Sequence, residues 1–130
     1  MEKLNPLFVL VGRILIAVLF LPAGISKIGN YSGMQQYMES GGVPGIVLPL
    51  VILLEIGGGL ALIVGWQTRI AAFLLAGFCV VSGILFHFQP EDQIQMILLM
   101  KNIAVAGGLL VLVGAGAGAI SLDHRKKTGD

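Results

Sequence analysis

Four long apolar runs constrain this chain more than any other feature. A helix that crosses a bilayer needs about 20 predominantly apolar residues, and such runs cover residues 7–28, 44–65, 69–88 and 94–115. Segments such as AFLLAGFCVV and MILLM lack the alternation of apolar and polar residues that is typical of membrane barrels. The sequence therefore predicts an all-α integral membrane protein, a four-helix bundle in which residues 1–130 form a single transmembrane domain.

Composition and charge agree with a membrane environment. Charged residues make up 12% of the chain and the mean hydropathy is +0.94, whereas about 25% of residues are charged in typical soluble domains. The lipid bilayer is thus the predicted partner, and a net charge of +1 gives no indication of a nucleic-acid partner. Arg13 interrupts the first run, which is also longer than the apolar region of a signal peptide, so we expect a retained helix.

The Lys and Arg residues outside the spans predict the orientation. Lys3, Arg69 and the basic cluster at residues 125–127 fall on one side of the membrane, and acidic residues such as Glu39 and Glu91 fall on the other. Because positive residues favour the cytoplasmic side, we expect both termini in the cytoplasm.

The loop between the first two spans is the longest one. Met34, Tyr37 and Met38 fall at positions i, i+3 and i+4, which predicts a short helix with one apolar edge. This helix would be either a surface connector lying on the lipid headgroups or a lid over an outward-facing site.

Two charged residues lie deep in the spans. Arg13 would lie about 9 Å below one face of a core about 30 Å thick, and Glu55 about 16 Å below the other face. Charged residues inside membranes usually face the bundle interior and pair, so we expect a buried ion pair between Arg13 and Glu55. Lys101, about 10 Å below the outer face, is the competing partner for Glu55. Such a pair could fix helix register, handle protons or bind a ligand.

The polar residues of the spans share helix faces with small residues, which allow helix backbones to approach closely in lipid. We expect each of these faces to meet another helix. The faces are Arg13, Ala17, Phe20, Gly24 and Lys27 on the first span; Ala76, Cys79, Gly83 and His87 on the third; and Lys101, Ala104, Val105 and Gly108 on the fourth.

Four polar residues are predicted to converge in the outer half of the bundle as ligand-binding residues: Lys27, His87, Lys101 and Asn102. Their donors would suit the carbonyl oxygens of a quinone headgroup or a small oxyanion. Structural explanations stay open beside this one. Asn102 could bridge helices, Lys27 could extend to the headgroups, and His87 could simply be solvated.

The small number of histidine and cysteine residues argues against several kinds of bound cofactor. The histidines are His87 and His124, and the single cysteine is Cys79, which argues against a bis-histidine haem, an iron–sulfur cluster or a C-x-x-C redox pair. We therefore expect no metal site and no intrinsic cofactor, and any redox role would require a borrowed cofactor such as a quinone.

Several segments together resemble the DoxX family of small four-helix membrane proteins, in particular its quinol oxidase subunit-like inner-membrane members from Gram-negative bacteria. They are VGRILIAVLFLPAGISKI at 11–28, QQYMESGGVPG at 35–45, LLEIGGGLALIVGWQTRIAA at 53–72, FHF at 86–88, MKN at 100–102 and GAGAGAISLD at 114–123. The family usually has a proline or a bulkier residue where this chain has GAGAGA. That departure is expected to touch a helix end and not the polar residues.

The resemblance implies a multi-pass protein of the bacterial inner membrane. Some members of the family are membrane subunits of a thiosulfate:quinone oxidoreductase, and others associate with redox complexes. The leading hypothesis is therefore a redox-associated subunit, not a self-sufficient enzyme, that binds a quinone or a similar small ligand and works with a partner oxidoreductase or as a homo-oligomer. The alternative is a structural or assembly protein whose buried charges only fix helix packing. A solute carrier is a third hypothesis, which four helices without an inverted repeat support poorly.

Overall fold

The computed structural model describes residues 2–127, which are 85% helical and contain no strand. Four helices are long and apolar enough to cross a membrane, which confirms the predicted fold class. The helices are α1 (Asn5–Gly29), α2 (Tyr31–Ser40), α3 (Leu48–Val64), α4 (Thr68–His87), α5 (Gln93–Ala115) and α6 (Leu122–Lys127), with 3-10 turns at Glu2–Leu4 and Gly45–Val47.

The junction between α3 and α4 is fixed by the segment that follows α5. Gly65 ends α3 with a φ of +74°, a left-handed conformation that glycine adopts without strain. The first free N–H groups of α4, on Gln67 and Thr68, donate to the Asp123 carboxylate at 2.8 and 2.9 Å. The Asp123 N–H in turn donates to the Gly65 carbonyl at 2.8 Å. The beginning of α6 therefore lies at the same end of the bundle as the α3–α4 turn.

The long helices pack in the order α1, α3, α4, α5. Small residues such as Ala17, Ala61, Ala72 and Ala106 contribute much of the core, as expected where close backbone approach replaces the hydrophobic driving force. The face of α1 predicted from the sequence is confirmed, because its buried residues are Arg13, Ala17, Phe20 and Gly24. The predicted face of α4 is buried as well at Ala76, Cys79 and Gly83.

The predicted contact face of α5 is wrong. The buried residues of this helix are Leu99, Asn102, Ala106, Leu109 and Leu112, whereas Lys101, Ala104 and Gly108 are exposed and Val105 is half-buried. The reason is the Asn102 side chain, whose amide donates to the Cys79 carbonyl of α4 at 3.1 Å. This bond turns the neighbouring face of α5 toward α4 and leaves the Lys101 face without a packed helix.

Gly24 allows α1 and α3 to approach each other, and its replacement tests this packing. A Cβ at Gly24 would lie 2.7 Å from Ile56 Cγ1 and 3.3 Å from the Ile56 backbone nitrogen. We expect Gly24→Leu to destabilise the fold by about 1–3 kcal/mol, as overpacking does elsewhere. Thermal unfolding in detergent measures the change. Gly12→Leu is the control, since a Cβ at Gly12 meets nothing within 4 Å; equal stability of the two variants would contradict the packing described here.

Candidate functional site

A cavity of about 260 Å³ lies between the long helices, at the end of the bundle opposite α6. Much of its wall is apolar or aromatic and comes from Leu19, Phe20, Ala23, Met34, Tyr37, Met38, Val51, Phe78 and Phe86. Its remaining lining residues carry polar or charged side chains, and they are Lys27, Glu55, Cys79, Ser82, His87, Lys101 and Asn102. A mainly apolar wall with a few convergent polar groups is typical of small-molecule sites.

The structure brings all four predicted ligand-binding residues onto this one wall. Lys27 comes from the last turns of α1, His87 from the end of α4, and Lys101 and Asn102 from the first half of α5. Three separate helices carry them, so the packing of the bundle makes them neighbours of one cavity. Whether they bind a ligand stays a prediction.

Glu55 forms an ion pair with Lys27, not with Arg13. The Lys27 Nζ lies 2.7 Å from Glu55 Oε1, and the side chains are 18% and 4% exposed. The predicted pair between Arg13 and Glu55 is wrong, as is the competing pair with Lys101. The cause is the register of α1 on α3: Glu55 lies beside Gly24, where a Cβ would come within 3.2 Å of Glu55 Cβ. Arg13 lies about 16 Å from Gly24 along the helix.

Arg13 instead forms hydrogen bonds at the opposite end of the bundle. Its side chain is buried, with 1% of the residue exposed. Nη1 donates to the Leu62 carbonyl of α3 at 3.0 Å, and Nη2 donates to the Ile120 carbonyl. The guanidinium group, with several donors in a rigid fork, thereby joins α1, α3 and the segment between α5 and α6.

The glycine-rich segment after α5 does touch polar residues, contrary to expectation. Gly116 and Gly118 have φ angles of +81° and +83°, and a Cβ at Gly116 would lie 3.0 Å from Arg69 Nε. The turn that these glycines make brings the Ile120 carbonyl to Arg13. The departure from the family pattern therefore lies where the chain folds back over a buried arginine.

Asn102 and His87 have structural partners in addition to their places on the cavity wall. The Asn102 amide lies 3.5 Å from Ser82 Oγ, in addition to its bond with the Cys79 carbonyl. His87 Nδ1 lies 2.8 Å from Gln95 Oε1. An amide oxygen only accepts, so Nδ1 donates in this arrangement and Nε2 of a neutral ring is left as an acceptor. Both residues thus join α4 to α5.

Helix α2 covers the cavity with the apolar edge that the sequence predicted. Met34, Tyr37 and Met38 all line the cavity, and the Tyr37 ring stacks on Phe86 with centroids 5.0 Å apart. The chain turns at Gly41 directly against the Phe86 ring, leaving no room for a Cβ. Of the two explanations for this loop, the structure favours a cover over the cavity.

Of the seven cavity residues grouped above as polar or charged, three were not among the predicted ligand-binding residues: Glu55, Cys79 and Ser82. Glu55 was assigned to the pair with Arg13, for which ligand binding was one of three roles left open, and Cys79 was placed only on a buried helix face. The sequence contained a signal for Cys79 and Ser82, because Cys79, Ser82 and Phe86 recur at intervals of three and four on α4, as residues of one face do. No group of three or more His, Cys, Asp or Glu residues that could hold a metal ion occurs within residues 2–127.

The ion pair between Lys27 and Glu55 predicts that replacing either residue alone lowers the unfolding free energy by a different amount. Lys27→Met leaves the Glu55 carboxylate buried without a counter-charge, which typically costs about 3–5 kcal/mol. Glu55→Gln should cost less, because the Lys27 side chain is partly exposed and can extend toward the headgroups. Unfolding free energies in detergent for both variants and for the double variant give the coupling between the two residues.

Arg13→Met supplies the control for this cycle. Its effect should add to that of Glu55→Gln within about 0.5 kcal/mol, since residues without shared partners behave independently. A strong coupling between Arg13 and Glu55, with none between Lys27 and Glu55, would contradict the pairing described here.

Known proteins resemble this chain along most of its length. Inner membrane protein YqjF of Escherichia coli K12 is 50% identical over 124 residues, which cover 95% of each chain. Inner membrane protein YphA of the same strain is 32% identical and covers 93% of this chain and 91% of its own length. "Putative oxidoreductase CatD" of Bacillus subtilis strain 168 is 26% identical over 110 residues, 82% of each chain. No solved structure matches the chain.

The relatives and the four spanning helices agree on a multi-pass protein of the inner membrane. Residues 8–88, which run from the first turn of α1 to just past the end of α4, match the DoxX family. The resemblance drawn from the sequence is confirmed, and the chain belongs to the DoxX family.

Proposed function

We propose that this protein binds a quinone, or a similar small ligand with polar oxygens, in the cavity beneath α2 and serves as a redox-associated membrane subunit. The observation that carries the proposal is the convergence of Lys27, His87, Lys101 and Asn102 on one mainly apolar wall. Polar residues inside membrane spans are costly and usually mark a functional site, and four of them from three helices are hard to explain by packing alone.

The size of the cavity supports a single-ring headgroup. A cavity of about 150 Å³ accommodates benzene in another protein, and the volume here is about 260 Å³. Phe20, Phe78 and Phe86 offer aromatic surface to a flat ring. The cavity thus has room for one substituted ring.

The charges of the wall suit a ligand whose oxygens accept hydrogen bonds. Lys101 has no ion pair with any residue that the structure describes, because Glu55 is already paired with Lys27. Its ammonium group is therefore available as a donor and would stabilise negative charge on a bound oxygen. A bound quinone would supply the two-electron chemistry, while the residues of this chain bind and orient it and a partner oxidoreductase supplies the electrons.

The relatives and the charge distribution add support. CatD carries the word oxidoreductase in its name, whereas the names of YqjF and YphA give only a location. If both termini lie in the cytoplasm, as the positive-inside rule predicts, the cavity is in the outer half of the membrane. A redox partner, or a further copy of the chain, would then meet it from that half or within the bilayer.

A structural or assembly role is the second candidate. It is favoured by the internal partners of the polar residues: Lys27 pairs with Glu55, Asn102 bonds to α4, and His87 bonds to Gln95. In this case the protein would dock a partner in the membrane, and the cavity would hold only lipid.

Lys101→Met separates the two candidates. Mass spectrometry of the protein extracted gently from its native membrane should detect a stoichiometric quinone in the wild type and its loss in the variant, because the ammonium donor is gone. Lys3→Met is the matched control, since it removes the same charge from an exposed residue outside the cavity. A wild-type protein without bound ligand but with a stable partner subunit would contradict ligand binding and support docking.

A further inference from the structure

Helices α1 and α5 leave an open groove between them. Among residues 2–127, α1 packs on α3 and α5 packs on α4, but α1 and α5 make no comparable contact with each other. The groove has a volume of about 320 Å³ and is lined by Leu15, Ile16, Leu19, Ala104, Val105 and Gly108. These residues belong to two membrane-spanning helices, so the groove opens to the hydrocarbon of the bilayer.

The groove and the cavity share a wall. Leu19 lines both of them. On α5, Lys101 lines the cavity, and Ala104 and Gly108 follow on the same face, one and two turns farther along the helix. A molecule with its polar end beside Lys101 could therefore extend along α5 into the groove.

The chemistry changes from polar to apolar along this path. Lys101 is exposed and lies about 12 Å from the first residue of α5, within the spanning helix. No residue of the described chain forms an ion pair with it, although an uncompensated ammonium group in hydrocarbon is costly. The groove beyond it offers only aliphatic side chains and the surface of Gly108.

The opposite route into the cavity is covered. Tyr37 of α2 stacks on Phe86, Gly41 abuts the same ring, and Met38 is buried. A ligand that approached from the aqueous side would have to displace these contacts. No described helix covers the gap between α1 and α5 in this way.

From this geometry we propose that the ligand is a lipid-soluble amphiphile that enters sideways from the bilayer between α1 and α5. Its polar headgroup lies in the cavity beside Lys101, and its apolar tail occupies the groove. This inference rests on the function proposed above and extends it, because it defines the route and the chemical class of the ligand.

Chemical labelling of Cys79 can test whether molecules enter the cavity between α1 and α5. This residue is the single cysteine of the chain, it lines the cavity, and it is 3% exposed, so a reagent must enter the cavity to reach its thiol. In proteoliposomes, lipid-soluble N-ethylmaleimide should label Cys79 several-fold faster than a charged maleimide added to the water phase. Gly108→Leu, which fills the groove, should slow the labelling by N-ethylmaleimide. Gly107→Leu is the matched control, because Gly107 lies outside the groove and a Cβ there meets nothing within 4 Å.

Faster labelling by the charged reagent would overturn the proposal, and so would equal rates in Gly108→Leu and the wild type. Because Gly108→Leu could disturb the fold, Ile16→Trp fills the groove from α1 as a second test, and unfolding temperatures verify both variants. If Gly108→Leu instead converted oligomers to monomers, the groove would be an interface between copies, which also overturns the proposal.

Protection of Cys79 by added quinones tests quinone binding and the sideways route separately. A fully substituted benzoquinone with a decyl tail should protect Cys79 at lower concentration than tetramethylbenzoquinone, and Gly108→Leu should abolish that difference. If neither quinone protects while the groove variants still slow labelling, quinone binding fails but the sideways route stands. If both quinones protect equally in the wild type, a ligand binds but the groove does not hold its tail.

Discussion

The cost of a charged group in hydrocarbon is the constraint on which this structure depends. The two charges buried most deeply have partners of different kinds. Arg13 donates to the carbonyls of Leu62 and Ile120, and Glu55 is neutralised by Lys27. Both interactions join α1 to α3, one near each end of the pair. Together they fix the register of the two helices, because a shift of either helix would expose a charge or a donor without a partner.

The two ends of the bundle consequently differ in what they can do. At the α6 end, the two terminal nitrogens of Arg13 donate to carbonyls, and Asp123 caps α4. At the other end, the helices separate around a cavity, α2 covers it, and Lys101 keeps an ammonium group without an ion pair among the described residues. The first end therefore ties the helices to the segment that follows α5, whereas the second combines a mainly apolar cavity with a cationic side chain that has no counter-charge among the described residues.

Small residues explain how one bundle can be tight at some interfaces and open at another. Gly24 brings α1 against Ile56 of α3, and Gly83 brings α4 against Leu99 and Asn102 of α5. The small residues Ala104 and Gly108 of α5 are not used in this way, because Asn102 directs the neighbouring face onto α4. The same residue type thus produces close packing where a helix faces it and a groove where none does.

The sequence by itself determined the membrane environment, the four spanning helices, the buried faces of α1 and α4, and four of the polar residues that line the cavity. These follow from apolar length and helical periodicity, which are local properties of the chain. Only the tertiary structure decided that Glu55 pairs with Lys27, that Arg13 binds carbonyls, and that Lys101 lies on an exposed face of α5 beside the cavity. Charge depth can be estimated from sequence only to within several ångströms, whereas an ion pair depends on helix register and rotation. Those are fixed by contacts between distant residues, such as Gly24 with Ile56 and Asn102 with Cys79.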